Sequence, residues 1–159
     1  MKTYSIDNNR ELMDEIIRKC MICNVGLSSE NTPYVIPMNF GYENGVIYLH
    51  SAPEGSSIKI INKNPKACIT FCSDASVVYQ NEEVACSYRM KGGSVICRGN
   101  VEFIDDLNEK ETALNCIMKQ YSGLQFSYSV PALKNVKVWK VDVEQITGKI
   151  FGEKHNLSF

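Results

Sequence analysis

The chain has 159 residues, a formal charge of −1, 44% apolar and 22% charged residues, which suits one core-forming domain over residues 1–159. So neutral a chain lacks the basic surface that nucleic acid or an anionic membrane requires, and no run approaches the ~18 apolar residues of a membrane span. The polar opening "MKTYSIDNNRELMDE" is unlike a secretion signal, and the seven cysteines are an odd number, so a reduced, cytoplasmic protein is expected.

Met13, Ile16, Ile17 and Cys20 follow the i, i+3, i+4, i+7 pattern and predict a first helix over 8–20, with Asn8 and Glu11 as a capping box. "CMIC" at 20–23 and "CITFC" at 68–72 have no second pair at metal-binding spacing, so the cysteines read as small buried hydrophobes. Strands follow at "MICNVGLSS", "PYVIPMNFGY" and "GVIYLHS". Asn44-Gly45 between the last two predicts an antiparallel hairpin, because both residues tolerate positive φ. A short helix is expected over 55–63, stopped by Pro65. "KACITFCSD" and "SVICRGNVEFID" are further strands, the latter placing Val95, Cys97, Gly99, Val101 and Phe103 on one face. A helix over 107–121 starts at Asp106, a loop covers 122–134, and "NVKVWKVDVEQI" is a last strand. About six strands and three helices, with few crossover helices, predict a mainly antiparallel α+β fold closed as a small barrel.

Chemistry has few bearers. On the strand at 34–42, Tyr34, Ile36, Met38, Phe40 and Tyr42 face a core, while Val35, Pro37, Asn39 and Gly41 share the other side. That second face is either an edge open to water or a small surface on which a flat ligand lies against backbone. His50 ends its strand on the face of Val46 and Tyr48, as a half-exposed histidine or a site residue. Gly55-Ser56-Ser57 opens a helix, either as an ordinary cap or as a cradle for phosphate with Lys59 nearby. Only two histidines are present, His50 and His155, so a histidine-rich metal site is not expected, and His155 reads as part of a solvated tail.

The order "PYVIPMNFGYENGVIYLHSAPEG…NKNP", "CSYRMKGGSVICRGNVEFIDD", a helix, then "VWKVDVEQITGK", over about residues 13–150, resembles the FMN-binding split-barrel families related to pyridoxamine 5′-phosphate oxidase, most of all their nitroimidazole-resistance branch. The resemblance implies a six-stranded split barrel, a homodimer with FMN at the interface, and a flavin-dependent reductase of a small, nitroaromatic-type acceptor. It implies that Pro37, Met38 and Asn39 run beside the flavin ring and that His50 and Ser51 lie near it, His50 as the catalytic group. It further implies that Gly55, Ser56 and Ser57 approach the phosphate, that Ser94, Val95 and Ile96 frame the flavin, and that Lys149 touches it. Relatives carry lysine where this chain has Ser57. Either Lys59, Arg89, Lys91 or Arg98 compensates, or hydroxyls and helix N–H groups suffice; one lost charge-assisted hydrogen bond costs ~1.5–3 kcal/mol, about one to two decades of affinity. The chain ends "GKIFGEKHNLSF" without the arginine-rich motif of the pyridoxine phosphate oxidase itself, so that reaction is not expected. An electron carrier without a substrate site, a haem protein using His50 or His155, and a deazaflavin protein remain alternatives.

Overall fold

A computed structural model of the chain describes residues 3–152, so His155 lies outside the described residues. The chain gathers into two compact units. The smaller takes the described residues within 1–20, 71–96 and 146–159, and the larger takes 21–70 and 97–145.

In the smaller unit, β1 (Thr3–Ser5) pairs antiparallel with β9 (Gln145–Phe151), Tyr4 opposite Ile150. Helix α1 (Arg10–Lys19) buries Met13, Ile16 and Ile17, as its spacing predicts. Its cap is Asn9 rather than Asn8: the Asn9 Oδ1 accepts from Leu12 N–H at 3.0 Å. The adjacent asparagines look alike in sequence, and only the observed geometry decides between them.

The larger unit holds β2 (Cys23–Ser29), β3 (Thr32–Met38), β4 (Phe40–Glu43), β5 (Val46–Ser51), α2 (Ser56–Lys63), α3 (Leu107–Lys119), α4 (Val130–Lys134) and β8 (Lys137–Asp142). Two long strands, β6 (Lys66–Val78) and β7 (Arg89–Ile104), contribute residues to both units. The strand order is β3-β2-β6-β7-β8-β5-β4, and the registered pairs are antiparallel. Asn44 and Gly45 turn β4 into β5 with φ of 51° and 81°, the mirror-image turn expected. Glu30 and Asn31, at φ 51° and 62°, make the same kind of turn between β2 and β3 without a glycine. Asp106 caps α3 by accepting from Asn108 N–H and Glu109 N–H, both at 3.0 Å.

The class is the mainly antiparallel α+β one expected, with nine strands among the described residues instead of six. Two expectations need correction. The stretch 122–134 is not all loop: Ser129 Oγ accepts from Ala132 N–H and starts α4, with Pro131 in its first turn. The strand at 34–42 is broken at Asn39, where the chain leaves its pairing with β2 and takes up pairing with β5. Beyond the break Gly41 is buried, and an added Cβ would stand 2.6 Å from the Cys116 carbonyl carbon and the Ile117 nitrogen. Gly41 therefore serves close packing of α3 on β4, not a ligand's approach.

The core of this unit includes Ile104, Ala113, Leu114, Ile117, Leu133 and Val138, with Tyr121 and Tyr128 packed against it. Trp139, Phe40, Ile47 and Leu49 are fully buried. Lys110 is buried as well, its Nζ donating to Leu133 O at 3.0 Å and Val136 O at 2.9 Å. It ties α3 to the segment that follows α4. Cys20, Cys23 and Cys97 are buried as small hydrophobes, but Cys72 and Cys86 are exposed, and none of the cysteines is joined in a disulfide. No helix among the described residues is long and apolar enough to cross a membrane, and they hold no cluster of metal-ligating side chains.

Candidate functional site

A concavity lies at the break at Asn39. A cleft of about 380 Å³ is lined by Ile22, Ile36, Pro37, Met38, Asn39, His50 and Ser51. Five of these, Pro37, Met38, Asn39, His50 and Ser51, are the residues singled out from sequence. Ile22 and Ile36 were not, because alternation assigns them to ordinary strand positions.

Two strand ends meet here. Pro37 and Asn39 are exposed at the end of β3, and Pro37 brings no N–H, so this stretch offers backbone and flat apolar surface. The last rungs of β5 pair His50 with Val138 and Ser51 with Lys137. Ile47 and Leu49 are buried on one side of β5, which turns Tyr48 and His50 to the other. The imidazole of His50 is partly desolvated, and that burial holds its pKa below the ordinary histidine value. It is therefore mostly neutral at pH 7.

The hydroxyl of Ser51 is fixed on two sides. It accepts from Trp139 Nε1–H at 3.1 Å and donates to Ala52 O at 2.8 Å. Its proton is committed, so towards a ligand it can only accept. None of the seven lining residues carries a formal charge at neutral pH. A flat, largely apolar ring with peripheral polar groups suits such a wall.

The remaining sequence candidates fall elsewhere. Gly55 stands at the N-terminus of α2 with φ 146°, a conformation that favours glycine. No side chain caps this helix, and its first turn contains no acid. Ser56 and Lys59 are exposed, but Ser57 is buried beside Ile58 on the inner face of α2. Lys63, in the last turn, is engaged with Glu30 at 3.0 Å. Ser94, Val95 and Lys149 belong to the smaller unit. There Ser94 is half-buried, Val95 fully buried, and Lys149 exposed opposite Ser5. Of the other cations considered for the phosphate, Arg89 donates to Gly152 O at 3.3 Å, and Arg98 lines a different groove. That groove, about 560 Å³, also carries Lys66, Asn100 and Glu144, and its charge suits a flat neutral ring less well.

Residues 9–150 match the family model described as pyridoxamine 5′-phosphate oxidase. The chain belongs to that family. The split-barrel class expected from sequence follows from this membership. Within the pyridoxamine 5′-phosphate oxidase family, the chain is similar to a candidate 5-nitroimidazole antibiotic resistance protein from Bacteroides thetaiotaomicron. The two share 51% identity and a TM-score of 0.86, over 95% of this chain and 89% of that one. It also resembles the flavocytochrome Anf3 from Azotobacter vinelandii, at 18% identity and TM-score 0.78 over 91% of this chain and 68% of the other. An FAD- and heme-binding protein from Mycobacterium smegmatis matches at 14% identity and TM-score 0.82, over 96% and 75%. These last two likenesses concern the fold alone. Among curated proteins, none matches this chain.

Proposed function

We propose that the protein is an FMN-dependent reductase of a small, flat, nitroaromatic-type acceptor. The observation that carries this reading is the neutral cleft in which the β3 end, Pro37–Asn39, meets the β5 end, His50–Ser51. The flavin ring would lie against Pro37 and Met38, and the fixed Ser51 hydroxyl would accept from a ring N–H. The uncapped N-terminus of α2 offers its amides to the phosphate, with the Ser56 hydroxyl and the Lys59 ammonium in the same exposed turn. Lys59 then takes the place of the lysine missing at Ser57, whose own position faces inward. FMN, once bound and reduced by an external electron donor, would supply the hydride.

The protein's own residues orient, shield and protonate. His50 stands at the cleft wall and would donate a proton to an oxygen of the acceptor as hydride is taken up at the nitrogen beside it. Its lowered pKa makes the neutral form dominant at pH 7, so the donating form gains ground as the medium becomes more acid. Ile22, in the lining of this cleft, and Met21, next to it in the chain, are 55% and 62% exposed. So much exposed apolar surface supports a homodimer whose second copy closes over the flavin. The relation to the nitroimidazole-resistance protein, at 51% identity, supports the choice of acceptor.

The absorption spectrum of the purified protein, alone and after addition of FMN, tests the reading. Flavin bands that co-elute with a dimer on size exclusion are expected, with reduction of a nitroaromatic faster than by free FMN. Flavin bands with no such acceleration would mark an electron carrier. A Soret band would mark a haem protein. A colourless protein that rejects FMN would refute the assignment.

A further inference from the structure

A hydroxyl from outside the sheet bridges Met21 and Phe40, the chain neighbours of two residues that line the cleft, Ile22 and Asn39. The β2–β3 ladder runs from Ser29↔Thr32 to Cys23↔Met38 and stops there. Continued by the same register, it would set Ile22 opposite Asn39 and Met21 opposite Phe40. At the latter position no direct rung forms. Phe40 N–H donates to Tyr121 Oη at 2.9 Å, and Tyr121 Oη donates to Met21 O at 3.0 Å. The hydroxyl is inserted where an ordinary N–H···O=C bond of about 2.9 Å would join the strands. The path from one strand to the other is thus two hydrogen bonds long instead of one.

We infer that Tyr121 is a positioning residue that sets the opening of the cleft, its hydroxyl acting as a one-oxygen spacer between β2 and the start of β4. Two residues lie between the last rung and the spacer, Ile22 and Asn39, and both line the cleft. The spacer is held rigidly. Tyr121 follows the C-terminus of α3, its N–H bonded to Met118 O at 3.0 Å, and its ring packs on the Ile104–Val138 cluster. The inserted oxygen matches its partners by type: the amide of Phe40 needs an acceptor, the carbonyl of Met21 needs a donor, and a phenol supplies both. A phenylalanine here would fill the same apolar space and let the two strands close on each other.

As a means of admitting a flavin ring, this inference rests on the function proposed above. The spacing itself is independent of any ligand. The test is Tyr121→Phe, with Tyr128→Phe as a control that removes a phenol packed on the same cluster. In ligand-free protein, Tyr121→Phe should give new cross-strand NOEs between Met21–Ile22 and Asn39–Phe40, and Tyr128→Phe none. FMN titration should show the dissociation constant raised about tenfold for Tyr121→Phe, equivalent to loss of one well-placed contact set. The absorption bands of its bound flavin should also shift, while Tyr128→Phe matches the parent protein. An unchanged NOE pattern in Tyr121→Phe would refute the spacer role, whatever happens to FMN. New NOEs with unaltered FMN affinity and spectrum would refute its control of the cleft. New NOEs in a protein that binds no FMN in any form would leave the spacer standing and remove the flavin assignment.

Discussion

Replacing Gly41 by alanine separates packing from ligand contact at a position that sequence alone leaves open. The added methyl would stand 2.6 Å from the Cys116 carbonyl carbon and Ile117 nitrogen, and 2.8 Å from the Cys116 oxygen. Ordinary contact begins near 3.4 Å, so backbone on α3 or β4 must retreat by roughly 0.8 Å. The obstacle is helix backbone, which cannot swing aside as a side chain can. Overpacking of this kind costs about 1–3 kcal/mol. In a chain of this size each kcal/mol lowers Tm by about 2–4 °C, so a fall of about 2–12 °C is expected. The movement also strains the site, because Tyr121 at the end of α3 bonds Phe40 N–H next to the substituted residue. FMN affinity should therefore fall together with Tm, although Gly41 touches no part of the cleft. Differential scanning calorimetry and FMN titration of Gly41→Ala check both. A variant that melts with the parent protein and loses only FMN affinity would show that Gly41 faces the ligand after all.

Lys110→Met keeps the long apolar stem but leaves the Leu133 and Val136 carbonyls without their ammonium donor. A loss of about 2–4 kcal/mol is expected, read as a lower urea midpoint at unchanged m-value. Gly55→Ala meets no steric obstacle but cannot hold φ 146° comfortably, so it should weaken FMN more than riboflavin, which lacks the phosphate. Titrating both flavins separates the two. His50→Ala should leave FMN bound and lower turnover about a hundredfold. Because burial lowers the His50 pKa, the parent rate should rise as pH falls below about 6.5, and the alanine variant should lose that rise. The sign for stability is opposite. The unfolded chain takes up the His50 proton at a higher pH than the folded one, so this group favours folding above about pH 6.5 and less so below it. Melts of parent and His50→Ala across pH 5–8 would reveal that difference.

Short-range signals were legible in the sequence where one residue type had a single structural use. Asn44-Gly45 specified its turn, Asp106 its helix start, and the alternation over 95–103 its buried face as far as Val101, Phe103 being only half-buried. Five residues that line the cleft are also ones to which the family resemblance pointed. What escaped depended on partners far away in the chain. Alternation over 34–42 runs unbroken through Asn39, because both halves keep their faces while changing neighbours. Gly41 reads as an open surface until α3 is laid upon it. Tyr121 is the last residue of the helix expected over 107–121, where, with Leu114, Ile117 and Met118 at helical spacing, it reads as part of an apolar stripe. Its hydroxyl finds partners 81 and 100 residues away, and no periodicity reports a bond of that separation. The turn at Glu30-Asn31 lacks the glycine that would have announced it, and β1 is too short to show alternation.

The central claim is that a flavin ring occupies the cleft between the β3 and β5 ends. Amide chemical-shift mapping on isotope-labelled protein, with FMN added, tests it most directly. The largest changes should fall on Ile22, Met38, Asn39, His50 and Ser51, with a second group at Ser56 and Ser57 that riboflavin fails to produce. Changes centred instead on Lys66, Cys68, Arg98 and Asn100 would place the ligand in the other groove, and either that result or the absence of any change would contradict the claim.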